Sequence, residues 1–121
     1  MSETFVFFCS HRQDDVERLI LALVGANTAA IAGQSAIVFC TLDAVGIGTR
    51  GGIDGLELEG FPSPAAVLPE LLENGGELWL CQTCAKPRGI TEDMLIDGAR
   101  IVGAAKLVET IAGGAKPVSI A

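Results

Sequence analysis

Four cysteines, one histidine and eight Lys or Arg side chains hold most of the chemistry this 121-residue chain can offer. Two of the cysteines form a CxxC, Cys81-Gln82-Thr83-Cys84, followed by Ala85-Lys86-Pro87-Arg88-Gly89, a small, polar and basic run. A nearby cation favours thiolate over thiol, and the thiolate is the form that attacks sulfur. Cys81 is therefore the leading candidate for a sulfur nucleophile, with Lys86 and Arg88 as stabilisers of anionic species. Cys84 could attack a sulfur atom held on Cys81 and leave a Cys81–Cys84 disulfide. His11 lies two residues past Cys9 and could pass a proton or help hold a thiolate. Its plainer reading is a solvated loop histidine. Cys9 and Cys40 end apolar runs, and free cysteine there is expected to pack as a small, inert hydrophobe.

Other chemistries fit less well. A thioredoxin-like CxxC would follow an earlier strand and face a cis-proline segment, which is not recognisable here. A zinc site needs four ligands, and this chain offers one CxxC, two isolated cysteines and one histidine. Gly46-Ile47-Gly48-Thr49-Arg50-Gly51 matches G-x-G-x-x-G formally, but it opens into more glycine and not into an evident helix. No metal or cofactor is expected.

The residues that position these groups read as alternating strands and helices. Thr4 to Cys9, Ala36 to Cys40 and Glu77 to Cys81 are apolar, β-prone runs suited to strands covered on both faces. Asp14 to Ala32 has helical period, with Val16, Leu19, Ile20, Leu23, Asn27 and Ile31 predicted inward. Leu42 to Gly48 suits a short helix, and Thr49 to Phe61 a glycine-rich loop of the kind that serves as a lid or contact. Ser63-Pro64 predicts a capped helix start, running to Asn74 with Pro69 as a kink. Gln82 to Ile90 reads as irregular, with a helical turn capped by Thr91 after it. Arg100 to Val102, Ala104 to Ile111 and Pro117 to Ile120 read as strand, helix and strand. The pattern predicts one α/β domain over 1–121, with a five-stranded, mainly parallel sheet between helical layers. In such a sheet ligands gather at the carboxyl ends of the strands, where Cys9, Cys40 and Cys81 all fall.

Composition narrows the function. The net charge of −7 and the lack of a basic cluster argue against nucleic acid as a partner. No apolar run reaches the roughly 20 residues of a membrane span, and the first residues lack signal-peptide character. A cytoplasmic location, with reduced thiols, is the expectation. Half the residues are hydrophobic and the mean hydropathy is +0.48. That surplus predicts subunit contacts, hence a homo-oligomer.

Trp79-Leu80-Cys81-Gln82-Thr83-Cys84-Ala85-Lys86-Pro87-Arg88-Gly89-Ile90, then Thr91-Glu92 and Val102-Gly103-Ala104, resembles the DsrE/DsrF-like family. The apolar first strand, Asp14-Asp15 and the long helix fit as well. The most specific element is a strand-ending cysteine eight residues before the glycine of Arg88-Gly89. The resemblance implies a three-layer α/β/α fold, trimers or hexamers, and a persulfide carried on Cys81 between donor and acceptor proteins. Cys84 is not the sulfur-carrying position in such relatives. Two other readings use the same residues: a CxxC thiol-disulfide redox protein, and a non-catalytic oligomeric module binding through its 46–60 loop.

Overall fold

Alternating apolar runs and amphipathic stretches build a five-stranded sheet in this computed structural model, which describes residues 2–120. The strands are β1 (Thr4–Cys9), β2 (Ser35–Cys40), β3 (Glu77–Cys81), β4 (Ala99–Val102) and β5 (Lys116–Ser119). Every pairing is parallel, in the order β4-β3-β2-β1-β5. The helices are α1 (Val16–Ile31), α2 (Pro64–Glu73), α3 (Gln82–Ala85) and α4 (Ala104–Ala112). The expected α/β/α layering is present.

Strand alternation sorts the core into two faces. Phe7, Cys9, Val38, Cys40, Leu78 and Leu80 pack with Leu19, Leu23, Val67 and Leu71 from α1 and α2. Val6, Ile37, Phe39, Trp79 and Val102 form the other face, against which Leu107 and Ile111 of α4 rest. The strand order reverses after β4, and the chain crosses to the far side of β1, so that among the described residues α4 is the helix that covers that second face. None of its nine residues is buried.

Several local expectations are corrected. α1 starts at Val16, because Asp15 is its cap and accepts a hydrogen bond from the Arg18 backbone N–H. Ile31 is 61% exposed; Ala22, Ala26 and Ala30 carry the buried stripe instead, letting the helix lie close to the sheet. The Ser63 hydroxyl donates to Glu57 at 2.8 Å and does not cap α2. Pro69 lies on the exposed side of α2, which runs through it to Glu73.

The glycine-rich segment after β2 is pinned rather than free. Leu42–Gly48 forms a 3-10 helix, and Gly48 lies so close to β3 that a Cβ there would stand 2.7 Å from a Leu80 methyl. Arg12 Nη1 donates to the Gly52 carbonyl at 2.9 Å. Arg50 donates to the Leu95 carbonyl at 3.2 Å and also to that of Asp93. The Ile96 N–H donates to Gly48 O at 2.9 Å, and Thr49 bridges Leu95. Arg50 thus holds the loop against the segment that follows α3, and Arg12 ties it to the connection between β1 and α1.

Candidate functional site

Three thiols end three neighbouring strands at the carboxyl edge of the sheet, but they do not face the same way. Cys9 and Cys40 are register partners on the α1 side. Cys81 follows Leu80, the partner of Cys40, and so alternates with Trp79 toward the α4 side. Cys81 packs at the margin of both faces, and Cys84 packs against the α1 side.

Burial divides them further. Cys9 is 4% exposed and Cys40 is fully buried, whereas Cys81 and Cys84 are half-buried. Burial pushes the Cys9 thiol up to about 11; its contact with the His11 carbonyl opposes that rise and the Asp14 carboxylate adds to it. Burial, then the neighbouring Cys9, raises Cys40 well above the ordinary thiol range. Both therefore stay neutral, as inert core cysteines do.

A pH dependence follows. A thiol raised on folding contributes stability that is fully present below its unfolded value of 9.0 and is lost as pH rises through about 11. Replacing Cys9 by Ala should reduce the alkaline fall in stability between those values by about 2 kcal/mol, leaving the part that Cys40 contributes. Urea unfolding at pH 8 and pH 11 measures it. Maleimide labelling of the folded protein at pH 7.5 should mark Cys81 and Cys84, with Cys9 and Cys40 reacting only after denaturation.

The residues after Cys81 are more regular than their sequence suggests. Cys81 is the cap position of α3, Cys84 lies within that single turn, and Lys86–Arg88 continues as a 3-10 turn. Gly89 closes it at φ +70°, and the Ile90 N–H returns to the Ala85 carbonyl at 3.1 Å. The CxxC, Lys86 and Arg88 thus share one continuous turn at the end of β3.

Arg88 is engaged. Its Nε and Nη2 donate to Asp43 Oδ1 at 3.1 and 3.0 Å, and its Nη1 donates to the Cys84 carbonyl at 3.1 Å. It therefore fastens the CxxC turn to the 3-10 helix after β2. His11 Nδ1 sits 2.7 Å from Asp14 Oδ2. The Arg12 backbone N–H, then His11, hold the Asp14 carboxyl below the usual carboxylate range. Lys86 is exposed and lines a cleft of about 400 Å³ with Gln82, Ile90, Glu92 and Ile101. A second cleft of about 340 Å³ lies between Arg12, Asp43 and Arg88. Arg12 and Asp43 were not apparent as site residues, since nothing local in the sequence marks either. Among the described residues, no three His, Cys, Asp or Glu side chains converge as a metal set. No helix among them is long and apolar enough to cross a membrane.

Comparison with known proteins agrees with this fold. The sequence model of the DsrE/DsrF-like family matches residues 3–118. An uncharacterised protein of Methanopyrus kandleri, MK0008, is 30% identical over 95 residues, covering 78% of this chain and 75% of that one. The crystal structure of the ychN protein from E. coli superposes with a TM-score of 0.76 at 23% identity, over 98% of this chain and 99% of its own. The structure of MTH1491, a protein of unknown function from Methanobacterium thermoautotrophicum, gives 0.74 at 19%, with the same coverage. At those identities the two structures speak for the fold alone.

Proposed function

The chain belongs to the DsrE/DsrF-like family, whose theme is sulfur relay, and on that premise we propose that it carries sulfane sulfur as a persulfide on Cys81. The observation that supports this most is the division among the thiols. Cys81 and Cys84 alone among the four are half-buried at the sheet edge, and the other two are sealed in the core.

In the first step the Cys81 thiolate attacks the outer sulfur of a donor persulfide. A Cys81–S bond forms, the donor's S–S bond breaks, and the donor leaves as its thiolate. An acceptor thiolate on a partner protein then takes that outer sulfur, and Cys81 leaves with the electron pair. Lys86 and Arg88, on the same turn, would steady the anionic sulfur. His11, with Nδ1 engaged by Asp14, keeps only Nε2 for proton transfer. Sulfur loading of the reduced protein from polysulfide, read by intact mass, tests the reading.

The position of Cys84 within one turn of Cys81 favours a second outcome for the loaded state. Attack by Cys84 on the Cys81 sulfur would release hydrosulfide and leave a Cys81–Cys84 disulfide. Cys84→Ser should then load normally and retain its persulfide several-fold longer, measured as sulfide release over time. The same pair working without sulfane sulfur is the redox alternative; it predicts disulfide formation and no sulfur gain.

The exposed side of α4 supports assembly with copies of the same chain in the cytoplasm. Val108 is 65% exposed on the helix that covers the second sheet face. Val108→Glu should shift the oligomer toward monomer in light scattering, while far-UV circular dichroism stays unchanged.

A further inference from the structure

We propose that Asp43 and Arg88 clamp the CxxC turn and so decide what becomes of a sulfur atom loaded on Cys81. Closed, the clamp keeps Cys84 within the turn, and the sulfur waits for an acceptor. Open, it lets Cys84 discharge that sulfur as hydrosulfide. On the carrier reading of Cys81, on which this rests, Asp43 and Arg88 are positioning residues for one of two competing outcomes.

α3 has little else to hold it. Its four residues, Gln82–Ala85, are far fewer than an isolated helix requires in water, and its cap residue Cys81 makes no side-chain hydrogen bond to it. A helix this short ends before it can satisfy its own last carbonyls. The Arg88 side chain takes one of them, with Nη1 donating to the Cys84 carbonyl at 3.1 Å. The same guanidinium reaches the 3-10 helix after β2, where Nε and Nη2 both donate to Asp43 Oδ1, at 3.1 and 3.0 Å. One side chain therefore ties the second cysteine of the pair to another element of the fold.

Discharge requires the turn to give way. Cys84 packs on the α1 side alone, against the core that includes Ala44, Val45 and Ile47, whereas Cys81 stands at the margin of both faces. For attack, the Cys84 thiolate must line up behind the Cys81 sulfur, opposite the outer sulfur. That movement takes Cys84 out of its packing, and it breaks either the Arg88 bond to the Cys84 carbonyl or the Arg88–Asp43 pair. In the step itself the Cys81–Cys84 disulfide bond forms and the bond from Cys81 to the outer sulfur breaks. The outer sulfur leaves as hydrosulfide with the electron pair; it is the oxidant, and no other is needed. Both members of the pair are substantially exposed, at 37% and 56%. Such a pair opens readily, and its loss favours the open turn by about fivefold at most.

Asp43→Ala tests the clamp, because it releases Arg88 and leaves both cysteines in the chain. Wild type, Asp43→Ala, Cys84→Ser and the Asp43→Ala/Cys84→Ser double variant are loaded with polysulfide, freed of excess donor, and followed by sulfide release and intact mass. Asp43→Ala should load as the wild type does and release sulfide about three- to fivefold faster. It should end about 2 Da below the reduced mass, as the Cys81–Cys84 disulfide. The double variant should release as slowly as Cys84→Ser alone, whereas a general loosening of the fold would persist without Cys84. Equal or slower release by Asp43→Ala, or acceleration that survives the loss of Cys84, overturns the clamp and leaves the carrier reading standing. Should no donor load Cys81, the carrier reading falls, and oxidised dithiothreitol reads the clamp without sulfane sulfur. Asp43→Ala should then close the Cys81–Cys84 disulfide faster by the same factor; equal closure rates would overturn the clamp as well.

Discussion

Cys81→Ser is expected to take up no sulfur from polysulfide under conditions in which the wild-type chain gains it. A serine hydroxyl is almost wholly protonated at neutral pH and does not attack sulfane sulfur, whereas a thiol supplies the reactive anion. The remaining thiols cannot substitute fully. Cys9 and Cys40 are buried, and burial holds both of them neutral. Cys84 is half-buried within α3 and packs on the α1 side alone, whereas Cys81 ends β3 at the margin of both faces. The substitution changes one atom at the end of a strand, so the fold should persist and circular dichroism should match the wild type. Loading that moves to Cys84 in this variant would transfer the carrier role to Cys84. Unchanged loading would contradict the assignment of Cys81.

Gly52→Ala is expected to cost the most stability of any single methyl addition in the loop that holds the cleft. A Cβ at Gly52 would stand 1.8 Å from the Gly46 carbonyl oxygen and 2.8 Å from Thr49 Oγ1. The first of these is backbone and cannot turn aside as a side chain can. The chain must open there, and Arg12 loses its bond to the Gly52 carbonyl as it does. A cost of about 3 kcal/mol is expected, of the size seen when a packed site is forced apart. Gly55→Ala is the control: its φ of +75° strains an alanine, but nothing lies within 4 Å of the added methyl. It should cost about 1 kcal/mol. Urea midpoints of the two variants measure the difference; equal costs would mean that the loop yields freely at Gly52.

The sheet was largely legible in the sequence because its strands are continuous apolar runs. Thr4–Cys9 and Glu77–Cys81 have the bounds that the sequence reading predicted. The inward face of α1 was legible at Leu19, Ile20, Leu23 and Asn27, where the spacing is helical. It failed at Ile31, where alanines near the helix end set the distance to the sheet and hydrophobicity alone pointed outward residues inward. α3 was missed because four residues are too few to display a period.

The site divides in the same way. Cys81, Cys84, Lys86 and Arg88 were legible together because they share one stretch of chain. Their surroundings were not. Asp43 and Arg88 are 45 residues apart, and Arg12 meets Gly52 across 40. Those contacts follow from β1, β2 and β3 lying side by side, which no local pattern encodes. The opposite orientation of Cys81 from Cys9 and Cys40 likewise follows from the one-residue offset between β2 and β3. The reversal of strand order lies between β1 and β5, whereas Cys81 ends β3. A search confined to that switch point would have passed it by.

The central claim is that Cys81 carries a transferable sulfur atom. Its most direct test is a peptide mass map of the reduced wild-type chain after incubation with polysulfide, taken before and after treatment with a reductant. A gain of about 32 Da per sulfur on the peptide containing Cys81, localised to that residue and removed by reduction, is the predicted result. A loss of about 2 Da from a Cys81–Cys84 disulfide with no sulfide released and no sulfur gained by Cys84→Ser, or no mass change with any donor, would contradict it.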